Sequence, residues 1–583
     1  MNDPSVIRRT AADEEADAKE ALQNFENQRW ISWPNEGAFD ALDEQYDSVH
    51  LKVKGSIPSW AAGSLFRTGP GQSMVENTSR GTHHVSHWFD GFAHTHRFDI
   101  IPPSAGDSAT SVVYSSRGQS EEYIAMVKKH GWQTSVSFGQ RSDPCVGIFA
   151  KFMSIFLPQK VNNNVAVIAN MPGLDSSGGR QVGHRTGLDN VYITTDSSTL
   201  EKMDPETLEP LESAAQQQLH PKLKGPLSCA HAQKDPVTGD LFNFNIDLGR
   251  KATYRIFRVN ADSGTTDILA TIAENELPAA YIHSFFLTEN YVVLCVPTSH
   301  FGWNGLKILW ERNVIDAIQP FDKSVKCKWF AVDRRHGRGV VARFSTPASF
   351  FFHSVNAFER KSKGNNGEEI TNIFLDMVEY VNTDVMHMLY YDILMNRNQD
   401  AMKDQQKLEK YKTSQPKLVR YKFAIPALSR THTGDYSLAA EQVFAILSPH
   451  AGELPIINPS RSGKAHRYVY GTCNRGVGFW MDGIVKTDVE TRDALIWSGP
   501  VGHTPGEPIF VPRPGGTDED DGVILTVVLD GSAQTSYLLC LDAKTLQELG
   551  RAETDFPIPI GLHGMHTPWA NKPCRHNVGG RAA

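Results

Sequence analysis

Along most of this chain apolar and polar residues alternate in short runs, the period of strands with one buried face. Tyr254–Val259 (YRIFRV) and Tyr537–Leu541 (YLLCL) are clear examples, and each runs directly into a turn. The turns approach one form, Asp-x-x-Thr-Gly or Asp-x-x-Thr-Leu, with Asn for Asp, Ser or His for Thr, or Arg at the last position in some copies. Copies begin at Asp204, Asp235, Asn260, Asp333, Asp488 and Asp542. Asp or Asn at the first position accepts backbone N–H groups of the turn, so these read as tight connections between antiparallel strands. A long, strand-rich sequence with recurring outer hairpins predicts an all-β fold, a β-propeller with insertions. A pair of β-sandwiches is the alternative. Helical periodicity is sparse. It is expected at Ala11–Phe25 and from Tyr391 to Tyr411, where the polar run Asn396–Lys410 reads as a solvated insertion. Lys361–Gly367 is expected to be a surface loop.

Cys145–Lys160 is the most apolar segment. Ile148, Phe149, Phe152, Ile155 and Phe156 recur at helical spacing with Lys151 opposite, which fits either a buried helix or one lying in a membrane interface. Cys145 at its start is a candidate for palmitoylation. No stretch reaches about 18 consecutive apolar residues, so no bilayer-spanning helix is expected. The residues from Met1 to Gln28 are Ala- and acid-rich and lack the apolar centre of a secretory signal, so the protein is not expected to be secreted. Among 583 residues, 40% are hydrophobic and 21% charged, with a net charge of -8, which argues against nucleic acid as a partner. Seven scattered cysteines show neither a disulfide framework nor zinc-ligand spacing, and a reducing, cytoplasmic setting suits them best.

Four histidines stand far apart in apolar, strand-like settings: His231 after LSCA, His283 in AYIHSFF, His353 in FFFHS and His563 in PIGLHG. Each alone reads as a satisfied core histidine. As a set they suggest a shared metal ion, because imidazole is costly to bury without a partner. The innermost strand of every propeller blade faces the axis, so remote histidines can converge there. Four neutral imidazoles leave an octahedral ion two open positions, which implies catalysis rather than a closed structural site; ligand type alone admits iron, copper, zinc or nickel. Glu453 and Glu507, each near proline in apolar company, fit as acceptors for the outer N–H of such histidines, or else as surface turn glutamates. His83, His84, His87, His94 and His96 cluster at spacings that mimic a second metal site but read as structural. His566 is an alternative ligand to His563.

From about Leu51 to Trp569 the chain resembles the carotenoid cleavage oxygenases, non-haem iron enzymes that split polyene or stilbene double bonds with dioxygen. The matching motifs, in order, are GSLFRTGPG at Gly63–Gly71, HWFDG at His87–Gly91, AHAQKDP at Ala230–Pro236, FHSVN at Phe352–Asn356 and LHG at Leu562–Gly564. The resemblance implies a seven-bladed β-propeller, with helical and loop insertions forming a cap over the metal face. It implies ferrous iron, Fe(2+), on His231, His283, His353 and His563, with dioxygen as co-substrate. Three outer acids are implied at Glu453, Glu507 and Asp196. The family commonly has Glu at the last position, so the shorter Asp196 is expected to reach its histidine through water or over a longer bond. Residues 46–575 would form the propeller, between an N-terminal extension (1–45) and a tail (576–583).

The implied reaction is cleavage of one C=C bond of a carotenoid or apocarotenoid to two carbonyl products. Stilbene cleavers typically carry Lys just before the third acid, where this chain has Thr195. Retinoid isomerohydrolases share the metal ligands, so ligands alone leave that chemistry open. The GSLFRTGPG and VSHWFDGFAHTH forms resemble the fungal, torulene-cleaving branch. A membrane surface is the implied partner through residues 145–160, placing the protein peripherally on membranes or lipid bodies. Outside the enzyme class stands a binding propeller with a structural metal or a non-catalytic carrier of apolar ligands. Oligomeric state is not legible.

Overall fold

The computed structural model describes residues 5–39, 44–103, 110–141, 162–174, 186–364, 367–395, 405–425, 438–478 and 481–569. Antiparallel meanders follow one another along the chain, because tight turns connect strands to their sequence neighbours. Five separate sheets of four or five strands result. One runs Ala166–Ala169, Val191–Thr194, Thr199–Met203 and Pro210–Ala215, and the next runs Gln233–Lys234, Leu241–Asp247, Thr253–Val259 and Thr266–Ile272. The third is built on Tyr291–Val296 and Cys327–Asp333, the fourth on Phe350–Lys363 and Glu369–Tyr380. The fifth begins with Glu453–Ile456 and contains Tyr468–Cys473.

Apart from a two-stranded hairpin, Met74–Thr78 with Gly81–His84, the remaining strands form one continuous ten-stranded sheet. It is continuous because Val49–Gly55 serves two neighbours: Val49–Leu51 pair with Ser111–Gly118, while Lys52–Gly55 pair with Glu548–Glu553. The architecture is therefore propeller-like and all-β, but five separate blades and a long curled sheet replace the seven blades expected. Paired β-sandwiches are not observed.

The chain closes on itself at two places. Val6–Arg9 adds an antiparallel strand to Ala494–Trp497, and His563–Pro568 pairs with Gly63–Gln72. The helix expected near the start runs Glu14–Glu26 and is pinned to the body. Asp17 Oδ2 lies 2.8 Å from His450 Nε2, and Glu14 Oε1 accepts the Leu447 N–H. The second expected helix is helical at Tyr391–Leu394 and Gln405–Thr413, while residues 396–404 fall outside the described residues. Lys361–Lys363, expected in a loop, instead extend a strand, because Thr371, Ile370 and Glu369 offer them partners across a hairpin.

All six turns form as expected. Asp204, Asp235, Asn260, Asp333, Asp488 and Asp542 accept the N–H groups two and three positions on. The fifth residue is left-handed in every copy, with φ of 60° at Leu208, 75° at Gly239, 67° at Gly264, 69° at Gly337, 64° at Arg492 and 55° at Leu546. A seventh copy, Asp530–Gln534, lacks the Thr and Gly that make the pattern visible in sequence.

Glycine takes this conformation without strain, whereas a Cβ costs about 1 kcal/mol or more. Arg492 is exposed, so Arg492→Gly should leave the protein unchanged or raise its stability by about 0.5 kcal/mol. Arg492→Val should lower stability by about 1–2 kcal/mol, read from paired thermal or urea unfolding curves.

Candidate metal centre

The four histidines come from four different sheets. His231 and His283 lie just before short innermost strands, Gln233–Lys234 and Phe286–Leu287, while His353 lies within Phe350–Lys363 and His563 opens His563–Pro568. One ring nitrogen from each lies within 4.8 Å of the others, the only such metal-ligating cluster among the described residues. His231 Nε2 is 3.1 Å from His283 Nε2, and His353 Nε2 is 3.1 Å from His563 Nε2.

Each outer nitrogen of three rings meets a carboxylate. His283 Nδ1 lies 2.8 Å from Asp196 Oδ2, His353 Nδ1 2.6 Å from Glu453 Oε2, and His563 Nδ1 2.7 Å from Glu507 Oε1. The Asp196 contact is direct, correcting the longer or water-bridged link expected. Its carboxylate is held close by the Ala230 N–H (3.1 Å) and the Tyr281 hydroxyl (2.6 Å), and its carbonyl accepts the Ser228 N–H. Among the described residues His231 has no carboxylate at its Nδ1.

This tautomer pattern decides what the centre can hold. A carboxylate only accepts, so each paired Nδ1 carries the proton and each Nε2 presents a lone pair inward. Lone pairs meeting at 3.1 Å repel unless a cation lies between them. Ligands at about 2.1 Å from one ion, at right angles, would stand about 3 Å apart. Burial, followed by the charges of the neighbouring rings, pushes His231 and His563 well below the usual histidine range, which keeps them neutral and able to ligate.

Charge balance agrees. Arg67 is the only Lys or Arg side chain paired with any of the three acids among the described residues, 3.8 Å from Glu507. In ionised form the acids, of which Glu453 and Glu507 are buried and Asp196 half-buried, leave with this guanidinium two net negative charges, the charge a divalent cation neutralises. Burial alone pushes the Glu507 carboxyl up to about 7 against the pull of Arg67.

The sequence reading missed the supports of these acids. Tyr281 and Tyr380 donate their hydroxyls to Asp196 and Glu453, and burial holds both phenols far above the usual range, so they remain donors. Arg67 reaches the carbonyls of Glu507 and Gly561 (2.9 and 3.1 Å), and the Gly564 N–H donates to Glu507 at 2.8 Å. Tyr281 had a visible signal: two positions before His283, it shares that residue's face if the segment is extended.

The other histidines lie elsewhere. His87 is buried, its Nε2 2.9 Å from the Met386 carbonyl; His94 stacks on His96, which meets the Tyr114 hydroxyl at 2.8 Å. His566 contacts the Ala61 carbonyl, away from the cluster. In HWFDG, Asp90 accepts the N–H groups of Phe138 and Gly139 and so ties that segment to the motif. Above the histidines lies an apolar cavity lined by Trp88, Phe89, Val165, Phe352, Leu389, Leu454 and Leu562.

A propeller-like ring here aims four imidazoles at one point beside an apolar cavity, a group that could hold a metal ion. The chain belongs to the RPE65 family, described as retinal pigment epithelial membrane protein, whose model matches residues 38–568. It is 54% identical over 578 residues to the torulene dioxygenase of Gibberella fujikuroi, covering 98% of this chain and 100% of that one. It is 49% identical to the carotenoid dioxygenase of Neurospora crassa (97% and 96% covered) and 30% identical to mouse beta,beta-carotene 15,15'-dioxygenase (91% and 90%). A variant of the Synechocystis apocarotenoid oxygenase superposes with a TM-score of 0.68 at 22% identity, covering 93% of this chain and 98% of that one.

Chelation should lower the melting temperature, and re-addition of a divalent transition metal should restore it, because a ligand bound only by the native state stabilises it by mass action. Glu453→Gln should weaken metal retention about 10- to 100-fold, measured by metal content after competition with a chelator.

Proposed function

We propose that this protein is a carotenoid cleavage dioxygenase that splits one C=C bond of a carotenoid or apocarotenoid, with torulene the foremost candidate. The observation that carries the reading is the convergence of His231, His283, His353 and His563 under an apolar roof. Full-length likeness to proteins named torulene dioxygenase and carotenoid dioxygenase supports it. The double bond breaks and each carbon takes one oxygen atom of dioxygen, so two carbonyl groups form with no net proton transfer. Asp196, Glu453 and Glu507 are all committed to histidines, which suits a reaction needing no general base.

The four histidines would hold ferrous iron, with Asp196, Glu453 and Glu507 orienting three of them. Bound Fe(2+) would supply one-electron chemistry with dioxygen, which closed-shell side chains do not. Trp88, Phe89, Phe352 and Leu389 line the small apolar cavity at the histidines; there they would flank the polyene, keep water out and bear on which bond is presented. Thr195, in place of the lysine expected of stilbene cleavers, speaks for a polyene over a phenolic stilbene.

No helix among the described residues is long and apolar enough to cross a membrane. The membrane contact expected at 145–160, with Cys145, falls outside the described residues. It stays part of the proposal, as does peripheral attachment to membranes or lipid bodies, because so insoluble a substrate is drawn from lipid.

Iron-loaded protein incubated with torulene under ¹⁸O₂ should yield two carbonyl products, each labelled, by mass spectrometry. His231→Ala should reduce them below detection. Intact torulene, with isomerisation and hydrolysis of a retinoid ester supplied in a parallel incubation, would assign the centre to the isomerohydrolase chemistry instead.

A further inference from the structure

A carboxylate is seldom buried without a base beside it. Glu201 is only 9% exposed, and its Oε2 is buried with no hydrogen-bond partner among the described residues. The neighbouring charge has the same sign. Burial first, and Glu122 second, push the Glu201 carboxyl up to about 7.

The strand pattern places this acid in a cavity. Thr199 and Glu201 alternate along Thr199–Met203, and Leu211, Ser213 and Ala215 along Pro210–Ala215, with Glu201 opposite Ser213 and Thr199 opposite Ala215. Alternation gives these residues one face of the sheet. The other wall comes from the first turn of the helix Glu121–His130 and from Arg117 and Gln119 before it. The space enclosed is about 760 Å³, the size of a small-molecule site, and it shares no lining residue with the apolar cavity beside the histidines.

A second unused acceptor lies in the same lining. Gln119 is 3% exposed, and its Nε2 donates to the carbonyls of Leu208 (2.9 Å) and Arg117 (3.3 Å). Those bonds fix the amide, and its Oε1 has no donor. At the mouth Glu121, Glu122, Glu209 and Glu212 are exposed. Arg117 is the one Lys or Arg in the lining, and it pairs with Glu209 at 3.6 Å; Lys202 reaches Glu212 from outside, at 3.8 Å. The excess is acidic.

These partners define the ligand. Two buried acceptors below a ring of carboxylates call for several N–H donors carried on positive charge. A bare metal ion fits less well, since the histidines form the only metal-ligating group of three or more among the described residues. Pro210 and Leu211 supply an apolar strip for a methylene chain. We propose that this cavity binds an aliphatic polyamine, with one ammonium on Glu201 and Gln119 and the others among the carboxylates at the mouth. The buried contacts carry the affinity, while the exposed ones add little and are screened by salt. The site is independent of the reaction proposed above.

The test is calorimetric titration of the iron-loaded protein with spermidine, and in parallel with calcium chloride and with choline, whose quaternary nitrogen has no N–H. One spermidine should bind per chain, and choline should show no saturable binding. Glu201→Gln keeps the shape and removes the charge. It should weaken spermidine at least about tenfold, with the melting temperature unchanged or higher. The exposed pair Glu121→Gln/Glu212→Gln should weaken it about threefold, and less at high salt. Absence of saturable spermidine binding overturns the proposal. Equal binding by the wild type and Glu201→Gln does so too, since that would be adsorption to a chain of net charge -8. Choline binding as tightly as spermidine would remove the need for N–H donors, and the polyamine with it. Calcium binding that Glu201→Gln abolishes, with spermidine inert, would make this a metal site instead. Should Glu201→Gln fail to fold, the variant at the mouth decides, and unchanged spermidine binding there overturns the proposal.

Discussion

Everything in this fold is subordinate to four nitrogen lone pairs directed at the same small volume. Left alone such a cluster is repulsive, and three of the rings are kept from turning away. Their outer nitrogens are claimed by Asp196, Glu453 and Glu507, at 2.8, 2.6 and 2.7 Å. The propeller-like ring solves a problem of reach, since His231 and His563 are separated by more than half the chain yet their ring centroids lie 4.3 Å apart. Sheets arranged around an axis present innermost residues to it whatever their separation in sequence.

The acids would be unstable in turn without their own donors. Asp196 has a backbone N–H and the Tyr281 phenol, Glu453 the Tyr380 phenol, and Glu507 a backbone N–H with Arg67 nearby. Arg67 lies on the strand Gly63–Gln72, which also pairs with His563–Pro568, so one element aligns a histidine and steadies the carboxylate behind it. The chain thus builds its centre in layers: imidazoles, carboxylates around them, and phenols, amides and a guanidinium outside. Each layer fixes the orientation of the one within.

Much of this was legible in the sequence, for physical reasons. The Asx-led turns depend on local hydrogen bonds, so six of them could be read directly, and the copy at Asp530–Gln534 escaped because Ala533 and Gln534 mask the pattern. The histidines stood out by burial-prone company, and Glu453 and Glu507 by apolar neighbours. What escaped depends on distant pairing. Nothing local to Val49–Gly55 says that its two halves bond to different strands, so the merging of the ring into a ten-stranded sheet was invisible. Neither could the sequence show that Ala230 and Tyr281 draw Asp196 in, or that Arg67, about 440 residues before Glu507, would stand beside it.

The order in which the ring is sewn shut bears on biosynthesis. Gly63–Gln72 leaves the ribosome early but waits for His563–Pro568, almost the last described segment, before that edge is paired. Val6–Arg9 and Val49–Gly55 likewise wait for Ala494–Trp497 and Glu548–Glu553. A nascent chain therefore carries these sheet edges unpaired until the later segments emerge, and His563 follows the other three imidazoles by some two hundred residues or more. A cation held by all four imidazoles would have to wait for the last of them, and a polypeptide interrupted before His563 would carry an incomplete ligand set.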